Sequence, residues 1–234
     1  MAKYKLPKIQ ELLDAGVHFG HKTSRWFPKM EPYIFISKSG VHVINLEKTE
    51  EKMKEAVDFV RSQAGMGKTF IFVGTKKQSG EIIKEAAISC GMPYENNRWL
   101  GGTITNFESI KNASRKLKKQ KEVLETNEEG LNKSELSKIR REVARGEKFL
   151  GGLVGMERKP DGLILFGVHD EKIALKEAKC EKIPVVALVD TNADPNSVEY
   201  PIPANDDATK SVKIFAQLFA DVINESKTKV ETAK

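Results

Sequence analysis

Histidines, carboxylates and lysines beside glycines are the side chains that offer chemistry in this chain. His18 and His21 stand three residues apart in a stretch without periodicity, a spacing open to metal binding. Asp190 closes an apolar run, and Asp206 and Asp207 precede a helical stretch, so these carboxylates are expected at one edge of a sheet. Carboxylates gathered there repel unless something positive lies between them. His21, Asp190 and Asp206 are therefore the candidate ligands of a divalent cation, and zinc best matches imidazole and carboxylate donors. Arg25, Lys29 or a water-bridged contact would serve the same electrostatic purpose; no cofactor is otherwise required.

Catalytic signatures are missing. The segment Gly74–Gly80 lies between an apolar run and a helix, where phosphates bind in α/β proteins. Yet Gly80-Glu81-Ile82 puts a carboxylate where a Walker lysine belongs, and no Gly-x-Gly-x-x-Gly fingerprint or Gly-x-Ser-x-Gly elbow occurs. Cys90 and Cys180 each end an amphipathic stretch and read as small core residues. A nucleotide- or metal-dependent α/β enzyme at the strand carboxyl ends is the alternative these residues leave. Nothing points to it specifically, and no small-molecule substrate is expected.

Two short segments combine basic, aromatic and glycine residues, the combination that neutralises phosphates and stacks on unpaired bases. The first supplies His18, His21, Lys22, Thr23, Arg25, Trp26 and Lys29 as RNA contacts; the second supplies Arg98, Trp99, Thr103, Thr105 and Asn106. Trp26 and Trp99 would serve equally as half-buried anchors of ordered loops. Lys76 and Lys77 add charge at a strand end. The 234 residues carry a net charge of +6, and it is concentrated: 12 basic against 7 acidic residues in Lys111–Lys148, and 7 against 3 in Met1–Gly40. Arg115, Lys116, Lys118, Lys119, Arg140, Arg141 and Arg145 complete the expected RNA-binding set.

The elements that must position these groups follow from periodicity. Short apolar runs at Thr69–Val73, Leu163–Phe166 and Val185–Val189 read as buried strands. They alternate with helical patterns at Lys5–Asp14, from Thr49, at Ser79–Cys90, Glu171–Cys180 and Asp207–Ile223, the signature of crossover units. Gly16–Met30 reads as a loop, and Tyr33–Ile36 with Val41–Asn45 as a hairpin or a strand of the sheet. The fold class is α/β, a doubly wound parallel sheet formed by residues 1–106 and 151–224, with a polar tail at 225–234. Residues 107–150 break the rhythm: Phe107, Ile110, Ser114, Leu117, Lys121, Leu124, Glu128 and Leu131 follow steps of three and four, and the stepping returns from Leu136 to Leu150. That pattern predicts an antiparallel coiled-coil hairpin inserted into the sheet domain and protruding from it, its second helix capped by Asn132 with Glu135. No apolar run approaches a membrane span, no secretory leader is apparent, and two cysteines exclude a disulfide framework, so a soluble protein of a reducing compartment is expected.

At Leu13–Thr23, Val43–Thr49, Phe72–Gln78, Arg98–Phe107, Val189–Asn192, Tyr200–Pro203 and Asn205–Asp207 the chain closely resembles the second protein of the bacterial-type small ribosomal subunit, ribosomal protein S-two. The resemblance implies a flavodoxin-like sheet with a protruding helical hairpin. It also implies a structural role on small-subunit ribosomal RNA at the head–body junction, and help in docking neighbouring proteins, including the OB-fold protein S-one. The location implied is a ribosome, cytoplasmic or organellar. Phe27 and Gly167 depart from the family pattern, replacing a usual asparagine and a common acidic residue.

Overall fold

The structure, a computed structural model, describes residues 4–126 and 132–231. Glu128 and Leu131 of the expected seam lie outside the described residues, as does the end of the expected tail at 232–234. Near the N-terminus, the short helix α1 (Ile9–Asp14) begins later than its apolar spacing predicts, because Pro7 disfavours helical backbone at the residue before it. A three-stranded antiparallel sheet follows. It consists of β1 (Phe19–Lys22), β2 (Ile34–Lys38) and β3 (Val41–Ile44), in the order β1-β3-β2. The expected loop at Gly16–Met30 therefore contains a strand.

The main sheet has five parallel strands: β4 (Phe70–Val73), β5 (Tyr94–Glu95), β6 (Gly162–Leu165), β7 (Val185–Val189) and β8 (Tyr200–Pro203). Their order is β5-β4-β6-β7-β8, so the chain reverses direction across the sheet between β4 and β6. Parallel neighbours need crossovers. Helices α2 (Leu46–Gly65), α3 (Gly80–Ser89), α6 (Lys172–Cys180) and α7 (Thr209–Glu231) cover the two faces. The alternation of β4 shows the division: Phe70 and Phe72 join the core with α2, α3 and α7, whereas Ile71 and Val73 join the core with α6. Burying each such side chain stabilises by roughly 1.5–3 kcal/mol.

One strand lies where none was expected, and the expected polar tail is partly helical. Strand β8 contains Pro201 and Pro203, tolerated because it is the edge strand of the sheet. Helix α7 continues through the start of the expected tail: Glu225 and Ser226 are buried, and Glu225 Oε2 accepts a hydrogen bond from the Tyr4 amide. Cys90 is buried as expected, but Cys180 is exposed at the last position of α6.

Helices α4 (Phe107–Thr126) and α5 (Lys133–Leu150) pack against each other. Leu117 abuts Gly146, Gln120 Nε2 donates to Glu142, and Ser114 Oγ reaches the Leu153 carbonyl, so partners fall along one helix as they rise along the other. The helices are antiparallel. The buried positions Phe107, Ser114, Leu117 and Val143 fall on the expected stepping, and a Cβ at Gly146 would lie 2.7 Å from Leu117 Cδ1. The Asn132 side chain accepts from Glu135 N, and the Glu135 carboxylate accepts from Asn132 N, the reciprocal cap expected there.

Candidate nucleic-acid interface

The first basic segment is held on the carboxyl edge of the main sheet. Gly20 makes this possible, because a Cβ there would lie 2.6 Å from Thr191 Cγ2. The His21 amide donates to Thr191 Oγ1 (2.8 Å) and the Phe27 amide to the Thr191 carbonyl (2.7 Å). Phe27 packs on the α6-side core. Trp26 leans on His42, with ring centroids 5.2 Å apart, and is 36% exposed. His18 is half-buried, and burial lowers its pKa. Lys22, Thr23 and Arg25 point outward, and Lys29 pairs with Asp194 at 2.9 Å.

The acidic residues at this edge, where a metal was expected, are paired with side chains of the protein itself. His21 Nδ1 lies 3.0 Å from Asp190 Oδ1, and Nε2 lies 3.3 Å from Asp207 Oδ2. The positive group at Asp206 is Lys76, whose Nζ is 2.6 Å from Asp206, 2.7 Å from Asp207 and 3.4 Å from Asp170. Thus His21, Asp190 and Asp206 are not assembled as a ligand set. Among the described residues no group of three or more His, Cys, Asp or Glu side chains is arranged to hold a metal ion. The electrostatic requirement was real, but an ammonium meets it.

Charge states follow from this packing. Burial and the Asp190 charge push Asp206 up to about 7, against the opposing pull of Lys76. The hydrogen bond to Asp190 raises the His21 pKa despite partial burial. Burial disfavours a charged Lys76, but Asp206 and Asp207 outweigh it and hold the ammonium. Gly167 has φ +138, and a Cβ there would lie 2.8 Å from Asp206 Oδ2. An acidic side chain at 167 would meet a buried carboxylate, which accounts for glycine at this position.

The second segment is organised by a residue that sequence reasoning missed. Glu177 of α6 accepts from Trp99 Nε1 (3.1 Å) and Gly102 N (2.7 Å) on one oxygen. Its other oxygen accepts from Ile104 N (3.0 Å), Thr105 N and Thr105 Oγ1 (both 3.1 Å). Burial opposes its ionisation, but these donors hold its pKa below the ordinary carboxylate value. Trp99 is only 4% exposed and Thr103 only 1%, so neither presents a surface to RNA, which corrects their assignment as contacts. Trp99 is an anchor. Arg98, Thr105 and Asn106 are exposed, although the Thr105 hydroxyl is held by Glu177. The signal for Glu177 was its place on the buried stripe of α6, beside Ala174 and Ala178.

The remaining basic residues are at the surface. Lys77 is exposed beside the engaged Lys76. Arg115, Lys116, Lys118 and Lys119 lie exposed along α4, and Arg140, Arg141 and Arg145 along α5. Lys111 and Arg115 also reach Glu157.

A family model described as ribosomal protein S2 matches residues 12–226, from α1 into α7 and across both helices of the basic pair. The chain belongs to the ribosomal protein S2 family. It is thus a small-subunit ribosomal protein of a structural rather than enzymatic kind, and the family places it on the ribosome. In this S2 protein Thr191, just after β7, holds the first segment, and Glu177 of α6 holds the 98–106 loop. No helix among the described residues is long and apolar enough to cross a membrane.

Proposed function

We propose that this protein is a structural constituent of the small ribosomal subunit that binds its ribosomal RNA chiefly by electrostatic positioning. In this reading the flavodoxin-like sheet domain is the anchor, and the α4–α5 pair is an arm projecting from it at the head–body junction. The protein supports subunit assembly and the docking of the OB-fold protein S-one in the cytoplasm. The observation that carries the reading is the placement of the cations. Nine of the described arginines and lysines on α4 and α5 have exposed side chains, while the strand-end lysine an enzyme would use on phosphate is held by three aspartates.

Phosphate neutralisation releases counterions, so affinity should fall steeply with salt. The test is filter binding of the protein to a small-subunit ribosomal RNA transcript across a salt series, alongside sedimentation of lysates. A steep salt dependence and co-migration with small subunits are expected. Salt-independent binding, or a free pool alone in the gradient, would overturn the reading.

A further inference from the structure

One carboxylate receiving five donors from a single loop is a structural commitment beyond what a core contact requires. The donors are the Trp99 indole, three amides at 102, 104 and 105, and the Thr105 hydroxyl. The loop they fix begins at exposed Arg98 and ends at exposed Asn106. The Asn106 amide donates to the Gly102 carbonyl (2.9 Å), and its side chain accepts from Ser109 Oγ (3.0 Å) in the first turn of α4. A single acid on α6 therefore sets both the flanks of the loop and the root of the basic helix. Buried amides left without acceptors would each cost about 1–3 kcal/mol, so the loop has one strongly preferred geometry while Glu177 is ionised.

We propose that Glu177, resting on the RNA-binding reading above, is the positioning residue of the RNA-facing surface: its carboxylate fixes the 99–105 loop so that Arg98, Asn106 and the first turns of α4 face the phosphate backbone together. Glu177 itself touches no RNA; it is 8% exposed and acts through Arg98 and Asn106. Its contribution is preorganisation, which removes an ordering cost from binding.

The experiment is a double-mutant cycle on the full chain, with a small-subunit ribosomal RNA transcript as probe. Glu177→Gln keeps the shape but turns an amide NH2 toward at least two donors. It should weaken RNA binding about tenfold, and Arg98→Ala should weaken it by a similar factor. Combined, the two should be no worse than the weaker-binding single variant, because a displaced Arg98 has nothing left to lose. A purely structural role predicts multiplied effects in the double variant. If Glu177→Gln does not fold, Thr105→Val, which removes one hydroxyl donor, replaces it in the cycle and should show the same non-additivity on a smaller scale. Unchanged affinity in the folded variant, or multiplied effects, overturns the role of Glu177 and leaves the RNA reading intact. A wild-type chain that fails to bind the transcript overturns both.

Discussion

The carboxyl edge of the sheet and the α4–α5 pair both contribute lysines and arginines, and they hold them in opposite ways. Lys76 sits at 14% side-chain exposure among Asp170, Asp206 and Asp207, and Lys29 pairs with Asp194. Lys116, Lys118 and Lys119 lie on an exposed face of α4. A cation in contact with carboxylates of its own chain serves the fold, because its field is cancelled within a few ångströms. One on a solvated helix face leaves its field available to a polyanion. Counting basic residues by segment therefore overstates the charge left unpaired, through Lys29 and Lys76 at the sheet edge and through Lys111, Arg115 and Lys121 on the helices.

The largest test of that contrast is removal of the arm. Ile110 and Leu150 pack on the α6-side core and Phe107 is buried, so the excision belongs at 111–149 and not at the ends of the helices. The shortened chain should unfold cooperatively on heating, yet bind RNA about a hundredfold more weakly at moderate salt. Undiminished affinity would collapse the comparison. Next in size is Lys76→Met, which leaves Asp206 buried without its partner and should cost about 3–5 kcal/mol in urea unfolding. RNA affinity of the folded fraction should stay within about twofold. A loss of affinity without a loss of stability would place Lys76 on the RNA instead.

Replacing Lys116, Lys118 and Lys119 together by alanine sharpens the other side. Each phosphate thereby left unneutralised should lower the slope of log affinity against log salt by about 0.9, with stability changed by only about 0.5 kcal/mol per site. An unchanged slope would show that this face of α4 points away from the RNA.

The smallest effect is on pH. Asp206 is raised from 3.8 to about 7, so ionising it costs the folded state more than the unfolded chain, and stability falls as pH rises across that interval. His21 is raised from 6.5, so its contribution is complete below 6.5 and is lost as pH rises through its folded value. The two add. Asp207, lowered from 3.8, and Lys76, raised from 10.5, change outside this window. With Glu95, which burial raises from 4.5 to about 8, acting in the same sense, thermal midpoints should decline from about pH 5 to about pH 8, and less steeply below about pH 7 in Asp206→Asn. An equal decline in that variant would remove Asp206 from the account.

What could be read in the sequence was what depended on local pattern. Val185–Val189 is a strand residue for residue, because a continuous β-branched and apolar run has few other stable placements. The stepping in α4 and α5 and the Asn132 cap are likewise local. Strand β1 was hidden because Phe-Gly-His-Lys has no alternation and its register against β3 is irregular. The tail was misjudged for a similar reason: Glu225 finds Tyr4, and Lys227 Nζ finds the Cys90 carbonyl at 2.7 Å. Charge and geometry at the edge were legible as a need for a cation at Asp206, but not as Lys76, since its contacts span 130 residues. Trp99 and Glu177 show the same limit: an aromatic in a basic segment looks alike whether it stacks on a base or donates to a buried acid.

The prolines of β8 bear on the life of the chain before it has met any RNA. The Ala204 amide donates inward to the Val189 carbonyl, so by strand alternation residues 201 and 203 face the open side. Both are proline and have no N–H to offer, and the Thr49 hydroxyl from α2 already occupies the Pro203 carbonyl at 2.6 Å. At the opposite side of the sheet β5 is only two residues long. Neither border of the main sheet can readily template an incoming strand, so a newly made copy awaiting its subunit is guarded there against edge-to-edge aggregation.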